Sequence, residues 1–228
     1  MIKNSSKHIL VTGAAGYIGS VVSEELIKDG KQIIALDNLI QGHKESIANE
    51  AVFVQGDLGD LNLLEELFRD YQIEAVVHLA ARTLVGESVT NPELYFRNNL
   101  VYGLNLLNTM CKYRVHKIVF SSSCAVYGHA PENTINEDTP KNPINPYGEA
   151  KLAFERVLFW YAKSYELSSI SLRYFNAAGA SVRCGEDHNP ETHLIPNVIK
   201  AALGQAKNIT VFGSDYPTKD GSCIRDYS

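Results

Sequence analysis

Short runs of apolar and β-branched residues alternate along the chain with longer stretches in which apolar positions recur every three or four residues. The first pattern predicts strands and the second amphipathic helices, and their alternation predicts βαβ units sharing a parallel sheet. Six runs read as strands: residues 8–13, 32–37, 51–57, 74–80, 117–123 and 168–175. Between the third and fourth, Leu61, Leu64, Leu67, Phe68 and Tyr71 form the packed stripe expected of a helix. Residues 92–113 and 146–166 are long enough for two more helices. The fold class expected is α/β, a doubly wound parallel sheet of the Rossmann type.

The texture changes after residue 176, where small, polar and turn-forming residues run to about 193, followed by a helical pattern at 194–204 and a strand pattern at 208–213. About fifty residues with one helix and one strand bury too little apolar surface to fold alone. We therefore expect an incomplete C-terminal substrate lobe leaning on the first, and a chain truncated after residue 228.

Composition narrows the function. The 228 residues are 45% hydrophobic, enough for one large core. With 21 basic against 26 acidic residues, a net charge of −5 and no basic stripe, nucleic acid is not an expected partner. No apolar run approaches the ~18 residues of a membrane span, and the opening enters a strand pattern without a signal-peptide core, so the expected location is cytoplasmic. Cys111, Cys124, Cys184 and Cys223 are far apart and form no C-x-x-C pair, which points to free thiols. The seven histidines show no ligand spacing, with His8, His78 and His116 reading as packing residues, so no metal is expected.

Two stretches carry chemistry. Gly13, Gly16 and Gly19 fall in a G-x-x-G-x-x-G turn between the first strand and the first helix. Glycines there let the backbone approach a pyrophosphate, whose charge the helix N-terminus favours. Asp37 ends the second strand, where a carboxylate can accept from ribose hydroxyls and would repel a 2′-phosphate, which favours NAD; a loop cap is the alternative role. Asp57, after the third strand, can meet the adenine edge or serve only its turn.

The second stretch is NPYGEAK, with Tyr147 and Lys151 four residues apart and so on one helical face. Tyr113 and Lys117 share that spacing, but they lie on the amino side of a strand. Ser123, by contrast, closes a strand at its carboxyl end, where ligands of such sheets sit. A free phenol titrates near pH 10; a neighbouring ammonium and a positive nicotinamide both favour the phenolate, so Tyr147 is expected as a base with its pKa lowered by Lys151, Ser123 orienting the substrate hydroxyl.

The stretches TGAAGYIGS, DNL, GDL, HLAA, VGESV, SSSCAVYG, NPYGEAK, LRYFNAAGA, ETHLIP and FGSDYPTKDGSCIRDY together resemble the extended short-chain dehydrogenase/reductase superfamily and, within it, the UDP-glucose 4-epimerases. The resemblance implies a NAD-binding part at 1–175 and a partial nucleotide-sugar-binding region at 176–228. It implies C4 epimerisation of a UDP-sugar, UDP-galactose to UDP-glucose, through a 4-keto intermediate, with NAD kept bound. It places Tyr17 and Ile18 on the pyrophosphate, Asp37 and Asn38 on the ribose, Asp57 and Leu58 on the adenine, and Leu79, Ala80 and Ala81 along the cofactor, completed by Asn98, Lys151 and Phe175. For the UDP-sugar it implies Ser123, Tyr147, Asn176, His193, Leu194, Phe212 and Arg225, the last by its guanidinium fork. Helices at 92–113 and 146–166 resemble the family's homodimer contact. Thr83 departs from the lysine some members carry there. A dehydratase would want Asp-Glu at the strand end that here reads Ser123-Cys124-Ala125; other sugar epimerases and a non-catalytic NAD-binding protein stay as alternatives.

Overall fold

The computed structural model describes residues 4–129, 134–189, 191–211 and 213–227. Six parallel strands form one sheet in the order β3-β2-β1-β4-β5-β6: β1 (Asn4–Thr12), β2 (Gln32–Asp37), β3 (Val52–Gln55), β4 (Tyr71–His78), β5 (Lys117–Ser123) and β6 (Ser168–Tyr174). The order reverses between β1 and β4, and at such a switch point loops diverge to opposite faces and leave a crevice. The helices are α1 (Tyr17–Lys28), α2 (Leu61–Asp70), α3 (Val85–Thr90), α4 (Pro92–Phe96), α5 (Tyr102–Lys112), α6 (Pro146–Tyr165) and α7 (Leu194–Ala202), of which α1, α2, α5 and α6 pack on the sheet. Among the described residues no helix is long and apolar enough to cross a membrane.

Strand parity sorts the core. Alternate residues of a strand face opposite sides, so Leu10, Ile34 and Leu36 join Leu64, Leu107 and Phe154 on one face, while Ile9, Val11, Ile33 and Ala35 pack with Ala14 and Ile47 on the other. Residues Ile33 to Leu36 are buried without alternation, as expected of a strand covered on both faces.

The helices start where their sequences supply caps. Asp60 accepts from the amides of Asn62 and Leu63 at the head of α2, and Asn145 accepts from Gly148 N at 2.8 Å at the head of α6, with Pro146 filling the first helical position. The predicted stripe on α2 holds for Leu64, Leu67 and Phe68, but Leu61 is exposed and Tyr71 already begins β4.

Three expectations change. The helix predicted over 92–113 is continuous but not regular: a π-helical turn, Arg97–Val101, separates α4 from α5. That extra residue per turn buries Asn99, whose side chain both accepts from Arg82 N (2.8 Å) and donates to Arg82 O (2.9 Å). The strand expected at 208–213 is not formed at the described residues 208–211, which are exposed and have no ladder partner, and an unpaired strand has nothing to hold it. The helix of 194–204 ends at Ala202, and α7 has no buried residue.

Two contacts fix α6 on the sheet. Glu155 forms a two-point ion pair with Arg173 of β6 (2.9 and 2.6 Å) and accepts from Ser122 Oγ of β5 at 2.5 Å. One residue earlier, Phe154 is fully buried, 4.6 Å between centroids from Phe120 and 5.5 Å from His78, and its ring leaves no room for a side chain at Gly103 of α5. Truncating Phe154 to alanine is therefore expected to cost ~3–5 kcal/mol of stability by chemical denaturation; a loss below ~1 kcal/mol would mean α6 is not held through this ring.

Candidate functional site

The carboxyl ends of β1, β2, β4 and β5 open into a cleft of about 1150 Å³. Every position assigned to the cofactor or the UDP-sugar from the sequence lines it except Phe212, which lies outside the described residues.

At one end is the glycine turn. Gly13 has φ +72°, and a Cβ on it would lie 2.6 Å from Ala80 N, so only glycine lets β1 turn this close to the end of β4. Gly19 is required for a different reason: a Cβ there would sit 2.0 Å from Gly13 O, preventing α1 from resting on the turn. Gly16 has an ordinary extended backbone, and its nearest protein neighbour would be Gly13 O at 3.4 Å. Little in the protein itself demands a glycine at this position, which starts α1 and offers no side-chain cap. The first-turn N–H groups are thus left open toward the cleft, an arrangement that suits phosphate oxygens.

The loop cap considered for Asp37 is formed. Oδ2 accepts from Ala15 N at 2.9 Å and Oδ1 from Leu39 N at 2.8 Å, so the group does cap its loop. Each oxygen keeps a second lone pair for a ribose hydroxyl. Asn38 donates to Asp57 Oδ2 at 2.6 Å, and Asp57 Oδ1 accepts from Gly59 N at 2.8 Å, tying the ends of β2 and β3 together. These residues fit a dinucleotide: an uncapped helix start for its phosphates and a fixed carboxylate for a ribose.

At the other end stand Ser123, Tyr147 and Lys151. Ser123 is the last residue of β5, and its Oγ accepts from Ala125 N at 3.2 Å, which starts a short 3-10 turn, Cys124–Tyr127. Lys151 is almost fully buried, with Nζ donating to Ser121 O at 2.7 Å and lying 5.7 Å from the Tyr147 ring centroid and 5.0 Å from that of Phe120. Tyr95 stands edge-on to Tyr147 at 6.5 Å. The competing pair is dispersed: the Tyr113 hydroxyl donates to Glu65 on α2, and Lys117 begins β5 at the opposite edge of the sheet.

The electrostatics correct the sequence reading. Burial pushes the Lys151 ammonium down to about 7. The Tyr147 phenol is raised, not lowered: burial dominates, the Ser123 hydroxyl opposes it, and the neighbouring Cys124 adds to it. A lysine held near 7 is only partly charged at neutral pH, so in the ligand-free cleft it does not by itself lower the phenol.

Sequence reasoning missed several residues that set this geometry. His78 lies beneath the turn with Nδ1 2.8 Å from Thr12 Oγ1, and burial first, then Lys151, holds its pKa down to about 3, so it is neutral. Asn99 holds the backbone of the 79–84 loop, and Glu155 holds the helix that carries Tyr147 and Lys151. The statement that the histidines do not cluster is also corrected: Glu186, His188, Glu191 and His193 bring four donor atoms within 4.8 Å of one another on the cleft rim. Their spacing, E-x-H-x-x-E-x-H, was visible but belongs to no regular element.

Sheet order, uncapped helix start and a tyrosine–lysine pair at the carboxyl edge define a dinucleotide-binding α/β protein of the short-chain dehydrogenase type. Residues 9–228 match the profile of the NAD dependent epimerase/dehydratase family, and the chain belongs to it. It is 50% identical over 221 residues to a UDP-glucose 4-epimerase of Halalkalibacterium halodurans, covering 96% of this chain and 66% of that protein, and 48% identical to one of Lactobacillus helveticus, covering 96% and 67%. Among solved structures it is similar to the UDP-glucose 4-epimerase of Brucella ovis in complex with NAD (TM-score 0.93, 44% identity, 97% of this chain and 69% of that one). It is also similar to that of Bifidobacterium longum in complex with NAD+ and UDP (TM-score 0.92, 38% identity, 97% and 70%). The chain spans about two-thirds of the length of the curated relatives.

The depressed lysine makes a pH prediction. Between the folded pKa of about 7 and the ordinary 10.5, the unfolded chain binds the proton that the folded chain lacks, so stability rises with pH in that range. The buried His78 adds to this only below pH 6.5, where the unfolded imidazole charges. The ligand-free chain should therefore gain thermal stability from pH 7 to 8.5, and Lys151→Met should flatten that slope; equal slopes in the two proteins would contradict the burial of a titrating Lys151.

Proposed function

We propose that the protein binds NAD and a UDP-sugar in this cleft and interconverts UDP-galactose and UDP-glucose by epimerisation at C4. The observation that carries this reading is the convergence of Ser123, Tyr147 and Lys151 in the same cleft as the uncapped start of α1. The similarity to UDP-glucose 4-epimerases, two of them solved with NAD, supports the choice of cofactor and sugar.

In this reading residues 1–175 hold the cofactor. The turn Gly13, Gly16, Gly19 with Tyr17 and Ile18 takes the pyrophosphate, Asp37 and Asn38 the ribose, and Asp57 and Leu58 the adenine. Leu79, Ala80, Ala81, Asn98 and Phe175 line its path. Residues 176–228 contribute to the UDP-sugar side through Asn176, His193, Leu194, Phe212 and Arg225.

NAD, when bound, would accept the C4 hydride and give it back to the opposite face of the ketone, and would bring a positively charged ring. Tyr147 takes the proton of the sugar 4-hydroxyl, which Ser123 holds by hydrogen bonding, and returns it after the 4-keto sugar has presented its other face. Lys151 donates to the nicotinamide ribose and, kept protonated there, stabilises the phenolate. The exposed Phe96, Val101, Phe159 and Trp160 support a homodimer through α4, the π turn that follows it and α6. Four free thiols fit a reducing compartment, so we place the protein in the cytoplasm.

The protein incubated with UDP-galactose and NAD is expected to form UDP-glucose. Tyr147→Phe should lower the rate by at least about a hundredfold while NAD affinity by titration stays within a few-fold. A Tyr147→Phe protein that turns over at the parent rate would remove the phenol from the reaction, and failure of the parent to bind NAD would remove the cradle.

A further inference from the structure

Four side chains on the cleft rim are arranged as if around one centre. His193 Nδ1 lies 2.5 Å from Glu186 Oε1 and 2.9 Å from Glu191 Oε1, and His188 Nδ1 lies 3.3 Å from the same Glu186 oxygen. The two imidazole rings stand 5.1 Å apart. Donor atoms around a tetrahedral ion with bonds of about 2.0–2.2 Å are separated by about 3.4 Å, the range these groups span after small adjustments.

A proton shared by His193 with the two carboxylates does not explain the cluster. On Nδ1 it can serve Glu186 Oε1 and Glu191 Oε1, but it leaves His188 Nδ1 with only the long, poorly aligned contact to Glu186 Oε1 (3.3 Å) and Glu191 Oε2 buried without a hydrogen-bond partner. The Glu191 side chain is only 5% exposed, so an unpartnered carboxylate oxygen there carries a desolvation cost that water does not repay. A cation among the four groups satisfies every one of them.

We propose that Glu186, His188, Glu191 and His193 form a divalent metal site, with Zn2+ the best fit to its two imidazoles and two carboxylates. Two ionised carboxylates and two neutral imidazoles balance the ion's charge, which suits a partly buried place. Four protein ligands and no open position mark a structural site, not a catalytic one. What it would hold is the strap that closes the cleft rim. Asp187, between two of the ligands, accepts from His43 Nε2 through its carbonyl at 2.9 Å, and Gly179 O, further back on the same strap, accepts from the Tyr17 hydroxyl at 2.7 Å. The ion would thus fix residues 185–189 and 191–193 against the loops beside the glycine turn. The inference is independent of the dinucleotide reading but replaces the UDP-sugar role of the His193 imidazole, which cannot serve both, and it needs no turnover to be tested.

Chelator-treated full chain titrated with Zn2+ against a chromophoric chelator should take up one equivalent. His188→Ala and Glu191→Gln, each checked for an unchanged far-ultraviolet spectrum, should bind it more than about tenfold more weakly. Hydrogen exchange on the unaltered chain gives a readout that needs no variant: amide exchange at residues 185–189 and 191–193 should slow when Zn2+ is added. Absence of uptake, equal affinity in the variants, or exchange there that ignores the ion would overturn the proposal.

Discussion

The site is organised around one awkward fact: a lysine amine is buried at the bottom of an open cleft. Lys151 gives up water, gains a single carbonyl partner in Ser121 and faces an aromatic ring, so its charged form is disfavoured until something else enters. Such a group is tolerable only on a rigid support. That support is α6, fastened to β5 and β6 through Ser122, Glu155 and Arg173 and wedged by Phe154 between Phe120, His78 and Gly103. Because Tyr147 rides the same helix one turn earlier, whatever fixes the lysine also fixes the phenol.

The opposite end of the cleft is built from absence of bulk. Gly13 allows β1 to turn beside Ala80, Gly19 allows α1 to rest on that turn, and Gly16 leaves the head of α1 open. These backbone dipoles cost no side-chain reorganisation when an anion arrives, while the capped carboxylate of Asp37 sets a negative limit beyond it. An open helix start with a carboxylate beyond it suits a diphosphate followed by a ribose. The phenol and the lysine then become useful together: a bound positive ring and ribose would return to the site the charge balance that burial removed.

Much of this was legible in the sequence, for reasons that differ by element. The six strands show because a covered parallel strand must be apolar over several successive positions, as Ile33 to Leu36 are. The starts of α2 and α6 show because Asp60 and Asn145 are caps, and the glycine turn because its spacing has a steric cause. What stayed hidden depends on three-dimensional company. The π turn at Arg97–Val101 leaves no periodic mark, yet it aims Asn99 at Arg82. The strand expected at 208–213 has the right composition but finds no ladder at its described positions. The direction of the Tyr147 shift could not be read either, since spacing places a lysine beside a phenol but does not reveal that both are desolvated. The rim cluster lies in an irregular segment, where spacing carries no geometric meaning until the chain is folded.

The central claim is that the cleft holds its base in a resting, protonated form and that the ligand's charge releases it. Its most direct test is the titration of the Tyr147 phenol, followed by the ζ-carbon signal of 13C-tyrosine assigned with Tyr147→Phe, in the ligand-free chain and at saturating NAD. The account predicts a pKa above the ordinary 10 without ligand and a clear fall once NAD is bound. A phenol that titrates at the same pH in both states, with NAD demonstrably bound, would contradict it.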